Sequence, residues 1–194
     1  MLDDHLLLIS RRFVPQEHVL GPGDFVALWS IFEPLGGLAF YNGGAVAGAS
    51  QPHRHLQWVP TPFEPDESAF PTCDALFDRL NHSSSDLPFQ VWVRPTPGEP
   101  EAAWRCYREL LELVGAGPRD GGLEQGRPYN LLLTHTLMAV VPRVAEGAAG
   151  IGINSLGFAG SLLVPDRDAV ERVRAHGVGR MLAAVSGLGP ERTE

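Results

Sequence analysis

Apolar residues recur along this chain in two rhythms, one at every second position and one at every third or fourth, and the changes between them mark its elements. His5 to Ser10 is a short apolar run closed by Arg11-Arg12 and reads as a strand that begins almost at the first residue. Phe25, Leu28, Trp29 and Phe32 then fall at helical spacing, so a helix is expected with Asp24 as its N-cap and with Pro34 and Gly36-Gly37 ending it. Leu38 to Tyr41 is the next strand. Pro52 breaks any helix, and His53-Arg54-His55-Leu56-Gln57-Trp58 alternates as a strand that returns antiparallel to Leu38–Tyr41. Side chains on a strand point to opposite faces in turn, so His53, His55 and Gln57 are expected on one face, about 6 to 7 Å apart.

From Thr61 to Leu87 the chain is rich in Pro, Asp, Ser and Asn, with a short helix expected at Ala75–Leu80 and a loop at Asn81–Asp86. Phe89 to Val93 alternates as a strand, Pro100 to Val114 has amphipathic helical spacing, and Gly115 to Arg127 reads as a flexible, turn-rich connection. Tyr129–Thr134 and Leu137–Val141 flank His135-Thr136 and pair as a hairpin. Ile151 to Val164 reads as a strand interrupted by small residues, and Pro165 to Val185 as a final helix with Asp166 near its start. LLLISRR and AVVPR each set an apolar run before arginine, an echo that suits an internal repeat. The pattern predicts one α+β domain, an antiparallel sheet bearing the His strand with helices flanking it on one side.

A chain of 194 residues with 44% apolar content can bury one sizeable core, which fits a single domain. No apolar run is long enough for a transmembrane helix, and the acidic start MLDDHLLLIS does not read as a signal peptide. Cys73 and Cys106 are unclustered, as expected of a reduced, cytoplasmic protein. The net charge of -8 argues against a general nucleic-acid binder but not against a mononucleotide or dinucleotide held by a few local donors. All 15 basic residues are arginine, which points to biased base composition before any functional cause.

The chemistry concentrates in GGLAFYNGGAVAGASQPHRHLQWVP, Gly36 to Pro60. Asn42-Gly43-Gly44 and Ala47-Gly48-Ala49-Ser50-Gln51 form a small-residue loop whose backbone N–H groups can approach an anion closely. Beside it stand imidazoles, nucleophilic towards phosphorus because the neutral ring is well populated near pH 7. For His55 to attack through one ring nitrogen, the other must donate to a fixed acceptor, for which a backbone carbonyl in the preceding turn is a natural candidate. The HxH pair also suits a metal, although such a site wants a third or fourth ligand that the cysteines do not supply. His18, His82, His135 and His176 read as ordinary polar side chains.

FYNGGAVAGASQPHRHLQ closely resembles the active-site motif of the ATP adenylyltransferases, or diadenosine tetraphosphate (Ap4A) phosphorylases, the His-x-His-x-Gln branch of the histidine-triad superfamily. YNLLLT, AVVPR and NSLGFAGSLLV resemble the family's later blocks. The resemblance implies a histidine-triad-like domain over 1–194, with a motif-bearing part at 1–60, a connecting segment at 61–127 and the family's carboxy-terminal part at 128–194. It implies that His55 forms a covalent nucleotidyl-histidine, that Gln57 contacts the phosphate and that His53 supports the site. Asn42, Ala47, Gly48, Ala49 and Ser50, with Asn154, Ser155, Leu156 and Ser161, match its nucleotide-binding positions. The implied reaction is phosphorolysis of Ap4A to ATP and ADP, with Mg²⁺ or another divalent cation accompanying the nucleotide and with no nucleic-acid or membrane partner. Gln57 in place of a third histidine favours an ionised phosphate acceptor over water, since an amide is no useful general acid or base. The alternatives are a nucleotide hydrolase of the same superfamily and a shortened, non-catalytic nucleotide-binding relative. On this reading the family's amino-terminal region is expected to be missing ahead of His5, and Pro165 stands where the family tends to carry a lysine. Arg11, Arg12, Arg54 and Arg143 are then the candidates to supply positive charge.

Overall fold

A computed structural model describes residues 5–61 and 87–187 of the chain. The helix expected at Ala75–Leu80 and the loop at Asn81–Asp86 lie outside the described residues. In chain order the elements are β1 (Leu6–Ile9), α1 (Pro22–Leu35), β2 (Leu38–Gly43), β3 (His55–Val59), β4 (Trp92–Pro95) and α2 (Pro100–Leu113). They continue with β5 (Tyr129–Leu133), β6 (Leu137–Pro142), β7 (Gly147–Ala148), β8 (Ile151–Gly152), α3 (Ser155–Phe158), α4 (Arg167–His176) and α5 (Val178–Ser186).

Among the described residues β1 to β6 form one antiparallel sheet in the order β1-β3-β2-β5-β6-β4. This order contains a repeat. β1-α1-β2-β3 and β4-α2-β5-β6 have the same connectivity, and in each the first strand takes the outer edge while the third element reaches the centre. The two units meet where β2 pairs β5, with Asn42 directly opposite Asn130. The echo of LLLISRR in AVVPR equates β1 with β6, whereas the fold equates β1 with β4. The dipeptide that does track the repeat is Tyr-Asn, at Tyr41-Asn42 and Tyr129-Asn130.

Strict alternation sends the sheet's side chains into two cores, and helices cover both faces where the pattern predicted one. Ala39, Tyr41, Leu56, Trp58, Leu131, Leu133, Met138 and Val140 pack against Phe25, Leu28 and Phe32 of α1 and Tyr107, Leu110 and Leu111 of α2. Leu38, Phe40, Val59, Leu132, Ala139 and Val141 pack against Leu156, Phe158, Met181, Leu182 and Val185 from α3 to α5. A helix of α2's 14 residues is marginal alone in water, so its buried stripe holds it, each fully buried side chain of Leu size contributing about 1.5–3 kcal/mol. No helix among the described residues is long and apolar enough to cross a membrane.

Several boundaries differ from expectation for local reasons. α1 starts at Pro22 with Gly21 as its N-cap, and Asp24 sits one turn in, its Oδ2 accepting the Gly21 N–H at 2.7 Å. β4 begins at Trp92 rather than Phe89 because Phe89 turns edge-on to Phe158, 5.0 Å between ring centroids, and the ladder opens with Trp92 opposite Val140. After two residues of β8, Asn154 ends the extended run by accepting the Leu156 N–H at 3.0 Å and starting α3. The expected final helix is two, broken at Gly177, whose φ of 78° lies in the left-handed region that glycine tolerates. Asp166 does cap the first of them, accepting from Ala169 N–H at 2.7 Å. The connection from Gly115 to Arg127 is tied down, with Val19 N–H donating to Leu123 O at 2.7 Å and Gln125 N–H to Glu17 O at 2.9 Å.

Candidate functional site

The β2–β3 hairpin carries the motif. Beyond Gly43 the chain makes one 3₁₀ turn, Ala45–Ala47, and leaves it at Gly48 with φ 88°. A side chain at Gly48 would meet Ile153 O and the Asn154 Cβ, both at 2.8 Å, so glycine is what lets the loop lie against the β8–α3 corner. The loop does not present the row of free donors that its sequence suggested. Ala47 N–H donates to Gly44 O, Gly48 N–H to Ala45 O and Ala49 N–H to Gly44 O, at 3.0, 2.8 and 3.2 Å. The N–H groups of Ser50 and Gln51 make no hydrogen bond to a described residue.

β3 then presents His55 and Gln57 on the same face, 7% and 9% exposed. His55 Nδ1 lies 2.9 Å from the carbonyl oxygen of His53. A carbonyl only accepts, so the bond requires the proton on Nδ1 and leaves a lone pair on Nε2 of the neutral ring. Neither that Nε2 nor the Gln57 amide has a hydrogen-bond partner among the described residues, so both are open to a ligand. His53 precedes the strand in an isolated bridge with Pro15, and its own ring is engaged elsewhere. Its Nε2 lies 3.0 Å from Ser10 Oγ and 3.2 Å from Arg12 O, and the ring tilts against Phe13. His53 therefore serves His55 through its main chain.

A buried polar cluster fixes the site's floor. Asn42 Oδ1 accepts from Asn130 Nδ2 at 2.8 Å, from Ser155 Oγ at 2.7 Å and from Ser155 N–H at 3.0 Å. Asn130 Nδ2 also donates to Ala47 O at 2.8 Å. Arg143, 1% exposed, donates to Asn130 Oδ1 (2.7 Å), Ala47 O (3.2 Å), Ala145 O (2.7 Å) and Glu146 O (3.0 Å). Burial of the guanidinium pushes its pKa down to about 10. It ties the loop, β5 and the β7 approach together and is occupied in doing so, which removes it from the candidate phosphate-binding cations. Arg54 faces the other way, 3.2 Å from Asp24 on α1, and Arg11 and Arg12 are exposed.

The sequence-predicted binding residues divide accordingly. Gly48, Asn154 and Ser161 come together around a cavity of about 190 Å³, with Glu146 and Leu162 also in its wall. Ser155, Leu156 and Ala47 are buried and organise the site from beneath: Ser155 Oγ also reaches Tyr41 O at 3.2 Å, and the Leu156 side chain lies in the core. Asn42 likewise acts as an internal acceptor. His55 and Gln57 do not line that cavity. In the second unit Val141 stands opposite Asn130, the register position that a continued β2–β3 ladder would give His55 relative to Asn42, so the imidazole exists in one unit only. The sequence reading missed Asn130, for which the repeated Tyr-Asn was the available signal, and Gln16, whose amide touches the main chain of both Asn42 and His55.

Residues 1–78 match the family model of the Ap4A phosphorylase N-terminal domain, and residues 85–187 that of the ATP adenylyltransferase C-terminal domain. Diadenosine 5',5'''-P1,P4-tetraphosphate phosphorylase 2 of Saccharomyces cerevisiae is 28% identical over 206 residues, which covers 89% of this chain and 62% of the relative. Protein APA1 of the same yeast is 24% identical over 200 residues, covering 89% and 61%. The chain thus spans about three fifths of the length of these curated relatives. Among solved structures, yeast Ap4A phosphorylase Apa2 in complex with AMP superposes with a TM-score of 0.76 at 26% identity, covering 94% of this chain and 68% of that one. The same enzyme in complex with Ap4A gives 0.72 at 25% identity, covering 94% and 69%.

Proposed function

The chain belongs to the family of ATP adenylyltransferases and Ap4A phosphorylases, and from that premise we propose that it transfers an adenylyl group through His55, as a histidine-triad-like site with glutamine in the third position. His55 Nε2 attacks the α-phosphorus of one adenosine of Ap4A, the bond to the bridging oxygen breaks, and ATP leaves. Inorganic phosphate then attacks the AMP-histidine, releasing ADP and the free ring, and the sequence runs in reverse from ATP and ADP. The observation that carries this reading is the 2.9 Å contact of His55 Nδ1 with the His53 carbonyl, which sets the ring's lone pair on Nε2. Gln57, two residues along the same face, donates its amide N–H to a non-bridging oxygen of the transferred phosphate, and the N–H groups of Ser50 and Gln51 meet the rest of the polyphosphate. A divalent cation such as Mg²⁺, entering with the polyphosphate, would neutralise charge on the leaving group. We place this activity in the cytoplasm, the compartment expected from two unclustered cysteines.

Intact-protein mass spectrometry after incubation with Ap4A and Mg²⁺, without phosphate, tests the reading. The expected result is an added AMP mass that phosphate discharges as ADP and that His55→Ala abolishes. A folded protein that binds Ap4A yet forms no adduct and no product would overturn transfer in favour of nucleotide binding without turnover. Discharge by water as fast as by phosphate would make the chain a hydrolase.

A further inference from the structure

Gln16 lies in no periodic run, yet it is completely buried. β2 and β3 pair from Leu38 opposite Val59 to Phe40 opposite Gln57 and then part to accommodate the hairpin loop. That parting leaves main-chain groups of Asn42 and His55 in the interior without each other as partners, a state that buried backbone groups rarely tolerate. The Gln16 side chain fills the opening. Its Oε1 accepts the His55 N–H at 2.8 Å, and its Nε2 donates to Asn42 O at 2.7 Å and, at a longer 3.3 Å, to His55 O. The amide is thus one more rung of the ladder, supplied by a side chain. Gln16 is itself anchored, since its N–H donates to Pro52 O at 2.9 Å and its carbonyl accepts from the Tyr41 hydroxyl.

We propose that Gln16 is a positioning residue for adenylyl transfer: by clamping the main chain of His55 against Asn42, it holds the His55 ring at the His53 carbonyl and so keeps the lone pair on Nε2. This rests on the reading of His55 as the nucleophile. The role needs a carboxamide, which offers a donor and an acceptor at this spacing. Glutamate has no donor for Asn42 O, and methionine matches the volume with neither group.

The test reads the ring state of His55 by NMR on protein with ¹⁵N-labelled histidine rings, without nucleotide, in the wild type, Gln16→Glu and Gln16→Met. The expected result is an Nδ1-protonated neutral ring in the wild type and a mixture of both tautomers in Gln16→Met, with Gln16→Glu between them. The rate of AMP-adduct formation should fall roughly 10- to 100-fold in Gln16→Met, as small misplacements of a reacting group do, with KM for Ap4A changed less than about threefold. An unchanged ring state in a folded Gln16→Met protein overturns the role. A measurement on the wild type alone stands independent of variant folding: the His55 amide hydrogen should exchange as slowly as its β3 neighbours, and fast exchange overturns the clamp. Because the ring state is read without substrate, a wild type that forms no adduct counts against the nucleophile and leaves the hold of Gln16 on His55 standing on its own result.

Discussion

His55 turns one ring nitrogen to the carbonyl oxygen of His53, 2.9 Å away, so the residue that orients the candidate nucleophile does so with its main chain. The His53 ring is occupied instead with Ser10 and Arg12. His53→Ala keeps the carbonyl and should therefore form the AMP adduct within about tenfold of the wild-type rate, while urea unfolding shows a loss of about 1 kcal/mol for the side-chain hydrogen bond and the contact with Phe13. A folded His53→Ala protein slowed by two orders of magnitude or more would put the ring itself in the reaction.

Asn42 is the residue on which the two halves of the sheet converge, its Oδ1 receiving three hydrogen bonds from Asn130 and Ser155. In Asn42→Ala, Asn130 retains Ala47 O and the Ser155 hydroxyl retains Tyr41 O, but the buried Ser155 N–H loses the acceptor it has. One orphaned buried donor and weakened neighbours predict a destabilisation of about 2–4 kcal/mol. Denaturant titration checks this, and a change below about 1 kcal/mol would show that the cluster relaxes around the gap.

The loop's seat on the β8–α3 corner depends on Gly48. A Cβ there meets a backbone oxygen, which cannot swing aside as a flexible side-chain end does, and the φ of 88° is strained for any other residue. Gly48→Val should cost about 2 kcal/mol or more in stability and lift the loop from Asn154, weakening AMP binding measured by calorimetry. Wild-type affinity in that variant would detach the cavity at Gly48, Asn154 and Ser161 from the nucleotide.

The period-two rhythm made the sheet legible and put His55 and Gln57 on one face, because a half-buried strand writes its geometry directly into its sequence. Even the acceptor for the His55 ring was foreseeable as a carbonyl in the preceding turn. The small-residue stretch after Ile151 was not, since a short apolar run suits a strand or a buried helix alike and the decision rests on one capping bond from Asn154. The same holds for the loop's N–H groups, which local 3₁₀ bonds engage before any anion arrives. Gln16 was least legible. Its partner lies 39 residues away, and nothing in its own neighbourhood marks a glutamine that completes someone else's ladder.

The chain's 3 tyrosines predict how it fails in alkali. Tyr41, Tyr107 and Tyr129 are all fully buried, and the hydroxyls of Tyr107 and Tyr129 lie 2.6 Å apart. Burial raises the pKa of each above the ordinary 10.0, because the phenolate would be stranded without water. In the unfolded chain they ionise near 10, so above that pH the native state holds protons that the unfolded state has lost. Their contribution to stability is complete below pH 10 and drains away as the pH climbs towards the raised native values. The three phenols together lose up to about 4 kcal/mol per pH unit above pH 10, at about 1.4 kcal/mol per group. Urea midpoints should be level from about pH 8 to 9.5 as far as these groups are concerned, then fall, with Tyr41→Phe making the fall shallower. Tyrosinate absorbance gives the independent check, since it should stay absent from the native protein past pH 10 and rise together with the loss of helical circular dichroism. Tyrosine ionising while the helices persist would show that the phenols reach water within the folded state.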